Sequence, residues 1–241
     1  MSDRDATPAI VFSGRFGSGK TEAAINYARA LAAGQAPGRE EAEGRPQRPP
    51  EGVVLVDLDI VTPYFRSRER ASEMEDVGVR VVAPSIIGQH LDTPAITPQI
   101  LGAVEQTDHA VVLDVGGDKQ GARALGQFSH AIRRRGYVMY FVVNPFRPFT
   151  NSLQGVTDSI AEIEESARLE GTSLVSNPNL IAETTIDHIL EGHARVESFA
   201  KALDLPIALV CIERRWAGRL RREGLGQPLL ILDRYFVQPW E

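Results

Sequence analysis

Residues Gly14–Thr21 read GRFGSGKT, directly after the apolar run AIVFS and directly before EAAINYARAL. The octet fits the pattern G-x-x-x-x-G-K-[ST], opened by Gly14 and closed by Gly19, Lys20 and Thr21. Glycines free the backbone to wrap, so that successive N–H groups along Gly14, Arg15, Phe16, Gly17, Ser18 and Gly19 point inward at phosphate oxygens. A helix opening near Gly19 adds its positive N-terminal end. Lys20 then reaches the β- and γ-phosphates, and the Thr21 hydroxyl is a Mg²⁺ ligand. With an apolar strand before it and an amphipathic helix after it, the octet reads as a phosphate loop and not as an ordinary glycine turn.

Working outward, short β-rich runs alternate with longer segments of helical period. Strands are expected at Pro8–Ser13, Val53–Asp57, Val79–Ala83, Ala110–Val115, Tyr137–Val143, Ser173–Ser176 and Pro206–Ile212. Several are apolar nearly throughout, as strands covered on both faces tend to be. One helical face carries Ala24, Ile25, Ala28, Leu31 and Ala32, a second Ala122, Leu125, Phe128 and Ile132, a third Val156, Ile160, Ile163 and Ala167. Strand and helix repeated this often predict an α/β fold, a doubly wound and mainly parallel sheet flanked by helices. Residues 1–241 are expected to form a single nucleotide-binding domain. The stretch from Gly34 to Gly52 is rich in Gly, Pro and mixed charge and lacks large apolar residues, so it reads as a mobile surface excursion.

A chain of 241 residues is long enough for one large α/β domain with a substantial core. Its net charge of −6 disfavours a broad nucleic-acid footprint. The single cysteine, Cys211 in PIALVCI, excludes an intrachain disulfide and any CxxC motif, and reads as a small core residue. No apolar run approaches the roughly 18–20 residues of a membrane span, and MSDRDATPAI lacks a signal-peptide pattern. The expectation is a soluble, cytoplasmic protein.

A phosphate loop needs carboxylates from other strands. VVLDVGGD places Asp114 at the end of an apolar strand, with Gly117 following in a D-x-x-G arrangement. A carboxylate there can hold the metal's water shell, and a glycine can set an N–H on the γ-phosphate. No Glu follows Asp114, so the Asp-Glu pair of motor, helicase and transporter proteins is absent. In VVLVDLDIVTPYFRSRER, Asp57 and Asp59 end the second strand, on the side where open α/β sheets bind ligands. Asp59 is preferred as the residue that orients an attacking water, and Thr62 to Arg70 as a switch or partner-contact segment.

With these motifs in order, the sequence resembles the MinD/ParA/CobQ-type nucleotide-binding proteins, the class that includes the nitrogenase iron protein and the Mrp-type carriers. The resemblance runs from Pro8 to about Ile212. It rests on GRFGSGKT, VDLDIVTPYF, VVLDVGG and SNPNL. It implies Mg-ATP binding, slow hydrolysis, and often a nucleotide-governed homodimer working on a protein partner. The family carries a lysine after the first loop glycine, which reaches the nucleotide of the opposite subunit; this chain has Arg15. A guanidinium there can stabilise γ-phosphate charge in trans, or Arg15 faces solvent and the dimer logic is lost. Adenine is the expected base, since no N/T-K-x-D tetrapeptide follows a late strand. Asn177 matches the family's base-contact position, and Asn144 reads as a turn former before Pro145.

His90, His109, His130, His188 and His193 are scattered and read as structural or exposed. The stretch ERRWAGRLRREG sets Arg214, Arg215, Arg219, Arg221 and Arg222 around Trp216 and Leu220. It reads best as a solvated helix face, which leaves DNA a disfavoured partner. The C-terminal LLILDRYFVQPWE is apolar and strand-like, so a MinD-style membrane helix is not expected. Two other readings stay open, an ATP-dependent small-molecule kinase or ligase resembling dethiobiotin synthetase, and a non-hydrolysing ATP-binding scaffold.

Overall fold

Every strand of the computed structural model, which describes residues 7–37, 52–59, 71–83 and 98–235, runs parallel to its neighbours. In chain order the elements are β1 (Ala9–Ser13), α1 (Lys20–Ala32), β2 (Val53–Leu58), α2 (Ala71–Glu75), β3 (Val79–Val82), α3 (Pro98–Glu105), β4 (Ala110–Val115), α4 (Lys119–Gly126) and α5 (Ser129–Arg135). There follow β5 (Tyr137–Val143), α6 (Leu153–Ala167), β6 (Ser173–Ser176), α7 (Ile186–Leu203), β7 (Ile207–Glu213), α8 (Arg214–Glu223) and β8 (Leu229–Leu232). The strand order is β3-β2-β4-β1-β5-β6-β7-β8. β1 therefore sits centrally between β4 and β5, at the point where the winding reverses. Ligands of open parallel sheets bind at the carboxyl ends of strands at such a point.

Side-chain alternation divides the core into two layers. Val53 and Leu55 of β2 and Ala110 and Val112 of β4 face α1, packing with Ala24, Ile25, Ala28 and Leu31. Val54, Val56, Val111 and Leu113 point the other way, into a larger layer with α3, α4, α5, α6 and α7. The alternation carries a functional consequence. Asp57 and Asp114 continue the α1-facing parity, so two carboxylates emerge from the sheet on the side where the loop's helix begins.

The expected strands stand within a residue or two at each end. The C-terminal LLIL is β8, pairing parallel with β7 and extending the sheet to eight strands. One helical expectation needs correction. The face carrying Ala122, Leu125, Phe128 and Ile132 is not one helix, because α4 ends at Gly126 and Phe128 caps the start of α5. A Cβ on Gly126 would stand 2.7 Å from Ser166 O, so the break lets the chain pass close to α6. All four side chains are nevertheless buried. Ala32 is exposed, and Ala23 takes the place assigned to it. Most of the Gly34–Gly52 excursion and all of the Thr62–Arg70 segment lie outside the described residues. Among the described residues no helix is long and apolar enough to cross a membrane.

Candidate functional site

GRFGSGKT joins β1 to α1, and two of the glycines around it are compelled by geometry. Gly19 caps α1 in the left-handed region at φ 85°, and a Cβ there would collide with the Asn177 amide. Gly117, between β4 and α4, lies against the Gly14 carbonyl and the Arg15–Phe16 backbone, closer than any Cβ permits. The phosphate loop and the DVGGD turn thus interlock backbone to backbone. Ser18 N–H donates to Arg15 O at 3.0 Å, closing the loop on itself.

Lys20 Nζ stands 3.0 Å from Asp59 Oδ2, and both side chains are buried. Asp59 N–H donates to Asp57 Oδ1 at 3.0 Å, and Asp57 pairs in register with Asp114 across β2 and β4. Asp114 is fully buried, and neither of its carboxylate oxygens has a hydrogen-bond partner among the described residues. Burial pushes its pKa up to about 8, against the pull of Lys20, with Asp57 and Asp59 adding to the rise. The Thr21 hydroxyl favours the charged form without completing a hydrogen bond to it. Asp57, Asp59 and Asp114 are thus buried close to one another and to the Lys20 ammonium. No group of three or more acidic, histidine or cysteine side chains set to hold a metal ion stands among the described residues, so protein ligands to a hard divalent cation here would be few, Asp114 and Thr21 being the candidates.

Arg15 turns back onto its own chain. Its Nη1 lies 3.1 Å from Glu162 Oε1 on α6, and its guanidinium sits 4.9 Å from the centre of the Phe149 ring. Phe16 and Phe149 are 65 % and 52 % exposed at the mouth of the loop. Asn177, the residue expected at the base, braces the loop in the free chain. It is 3 % exposed and donates to Ser18 O at 2.6 Å. Asn144 forms the expected turn, its Oδ1 accepting the Phe146 N–H at 3.1 Å. Ile181, in the stretch after SNPNL, holds φ at 60°, a strained conformation for a β-branched residue.

The described histidines are structural or, like His130, exposed. His193 is buried between Ser176 Oγ (3.1 Å) and Gln227 Oε1 (3.0 Å), and His188 completes the cap of α7. The basic stretch forms α8, where Arg214 pairs with Asp233 and Arg215 with Glu213. Acidic neighbours thus meet part of its charge, as the solvated-face reading requires. Sequence reading passed over Arg147, whose stem packs on Gly17 of the loop. Its only trace in the sequence is an arginine held between two prolines in NPFRPFT.

Among solved structures, the signal recognition particle receptor FtsY from Elizabethkingia anophelis, in complex with GDP, matches this chain at a TM-score of 0.50 and 15 % identity. The match covers 88 % of this chain and 60 % of that one, so this chain spans less than two thirds of the receptor's length. No family profile and no curated protein matches the sequence. At that identity the likeness establishes the fold. The fold is that of the α/β P-loop proteins.

Proposed function

We propose that this chain binds Mg-ATP and hydrolyses it slowly, as a nucleotide-controlled switch or accessory factor for a protein partner, in the manner of the MinD/ParA/CobQ-type proteins it resembles. One observation carries the reading. Asp114 is a fully buried carboxylate without a hydrogen-bond partner among the described residues, beside Thr21 of a phosphate loop. Burying such a group unsatisfied is costly, and native proteins retain one chiefly where a ligand completes it.

In this reading the backbone N–H groups of residues 14–21 bind the phosphates, and Lys20 leaves Asp59 for the β- and γ-phosphate oxygens. Thr21 and Asp114 hold Mg²⁺, which when bound neutralises phosphate charge. Asp59, released from Lys20, orients a water, while Gly117 keeps the DVGGD turn against the loop. The preference for adenine rests on the missing guanine-reading tetrapeptide. The nucleotide-governed homodimer rests on Arg15 and on the exposed Phe16 and Phe149 beside it. A part-exposed pair such as Arg15–Glu162 is worth at most about 1 kcal/mol, so Arg15 is free to exchange Glu162 for a phosphate across an interface.

Calorimetric titration of the chain and of Lys20→Ala with Mg-ATP and Mg-GTP tests the reading. The parent is expected to bind ATP more tightly than GTP, and Lys20→Ala to lose most of that affinity. Unchanged binding by Lys20→Ala, or no binding by the parent, overturns the nucleotide site; a GTP preference overturns the base assignment alone.

A further inference from the structure

The loop after β5 reads NPFRPFT, Asn144–Thr150, and its shape is fixed from several sides. Asn144 O accepts the Arg147 N–H at 3.1 Å and the Thr150 hydroxyl at 2.6 Å. Asn144 Nδ2 donates to Asn179 O at 2.8 Å, tying this loop to the one after β6. Phe146 is committed to α7. Its ring lies 3.0 Å from where a Cβ of Gly192 would stand and meets His188 edge-on at 5.9 Å, with the Arg195 guanidinium 5.8 Å away.

With Phe146 anchored on α7, Arg147 falls on the phosphate loop. Its Nε, Cδ and Cγ lie 3.5, 3.6 and 3.8 Å from the Cβ position of Gly17. Nε is buried without a hydrogen-bond partner, and no carboxylate among the described residues pairs with the guanidinium. Arg15, the other arginine at the loop, is met by Glu162 and Phe149. A rigid loop therefore holds an unneutralised cation, with a desolvated donor, over the exposed Phe16–Gly17 shoulder of the phosphate loop. The buried end of the octet, Ser18–Thr21, lies at the start of α1.

We propose that Arg147 is a phosphate-binding residue of this site, donating from its guanidinium to the terminal phosphate of a nucleoside triphosphate bound by the same chain. The inference rests on the reading of Gly14–Thr21 as a nucleotide site. A guanidinium matches a terminal phosphate because its planar donors engage two oxygens at once. The loop's N–H groups serve the inner phosphates and Lys20 bridges the β- and γ-phosphates, while the terminal phosphate carries the most charge and has oxygens left for a second cation. Arg147 then lets the site tell a triphosphate from a diphosphate within one subunit.

The test titrates the full chain, Arg147→Met and Arg147→Lys with Mg-AMPPNP and Mg-ADP, and with the guanine counterparts of both. Methionine keeps the stem that covers Gly17 and removes the donors. The expected result is about a ten- to hundredfold loss of triphosphate-analogue affinity in Arg147→Met, with diphosphate affinity within about threefold of the parent. Arg147→Lys, keeping charge without the fork, is expected to fall between. Equal loss for both nucleotides marks a loop brace and overturns the proposal, as does no loss for either. If Arg147→Met does not fold, the same ratio read from Arg147→Lys decides in the same way. Should the parent bind none of the four nucleotides, the nucleotide-site reading fails and takes this inference with it; binding by the parent with an unchanged ratio in the variants removes this inference alone.

Discussion

Lys20 Nζ and Asp59 Oδ2 form a buried ion pair at 3.0 Å, so the lysine of the phosphate loop and a carboxylate just past the end of β2 are partners in the free chain. A phosphate that enters the loop competes with Asp59 for the same ammonium. In the proposed function Asp59 leaves Lys20 when the nucleotide takes it, which would link water positioning to occupancy of the site. Removing the competitor spares binding. Asp59→Asn is expected to bind Mg-ATP at least as tightly as the parent and to lose turnover by orders of magnitude, because the carboxylate acts mainly in the transition state. Calorimetry and a phosphate-release assay on the same preparation check both halves. Turnover at the parent rate would remove Asp59 from the catalytic assignment.

Asp114 gives the free chain a pH dependence. Its folded pKa is raised by burial to about 8 from 3.8, so the folded state holds its proton across a range where the unfolded state has lost it. The stability it permits is full below about pH 4 and declines as pH rises toward 8. Asp114→Asn has no such proton to lose. Without Mg²⁺ or nucleotide, the melting temperature of Asp114→Asn minus that of the parent should therefore widen between pH 5 and pH 8. The ceiling is about 1.4 kcal/mol per pH unit, with about 2–4 °C per kcal/mol for a chain of this size. A difference that stays flat over that range shows that the carboxyl does not titrate as its burial requires.

Gly117 separates space from flexibility. A methyl group there meets the Gly14 carbonyl and the Arg15–Phe16 backbone, and none of these is a side chain that can swing away. Gly117→Ala is expected to cost about 1–3 kcal/mol and to weaken ATP binding, since the phosphate loop must shift. Gly102 in α3 is the control, having nothing within 4 Å of its Cβ position. Gly102→Ala should leave binding intact and stabilise the fold by up to about 1 kcal/mol. Thermal melts and calorimetry on both variants check the contrast.

The parallel sheet and the phosphate loop were legible because each is written in contiguous residues, apolar runs for the strands and GRFGSGKT for the loop. Asp57, Asp59 and Asp114 were legible as strand-end carboxylates. That Asp57 and Asp114 stand in register was not, because register follows from strand order, and β4 lies between β1 and β2. The bracing role of Asn177 and the placement of Arg147 were hidden for a related reason. Each is set by a contact across 159 and 130 residues of chain, respectively, and short-range pattern carries no record of it. The division of one expected helix into α4 and α5 turns on the approach of Gly126 to α6, a packing constraint that apolar periodicity does not encode.

Arg15 supplies the remaining prediction, on how the ATP is used. It lies at the loop mouth between exposed Phe16 and Phe149 and is held, among the described residues, by Glu162 and the Phe149 ring. Both contacts are within the chain and part-exposed, so Arg15→Ala should change stability by no more than about 1 kcal/mol. If Arg15 crosses to a partner's γ-phosphate, its loss removes an arginine finger, an effect of about 10³–10⁵ in turnover, and weakens ATP-dependent dimerisation at the same time. Binding of ATP to the monomer should survive, because the N–H groups of the loop and Lys20 remain. Glu162→Gln should act oppositely, loosening the hold on Arg15 and favouring the ATP-bound dimer. Sedimentation with and without Mg-ATP, together with phosphate release, separates the outcomes. A variant Arg15→Ala that dimerises and hydrolyses like the parent would show that Arg15 serves its own subunit only, as a clamp between α6 and the phosphate loop.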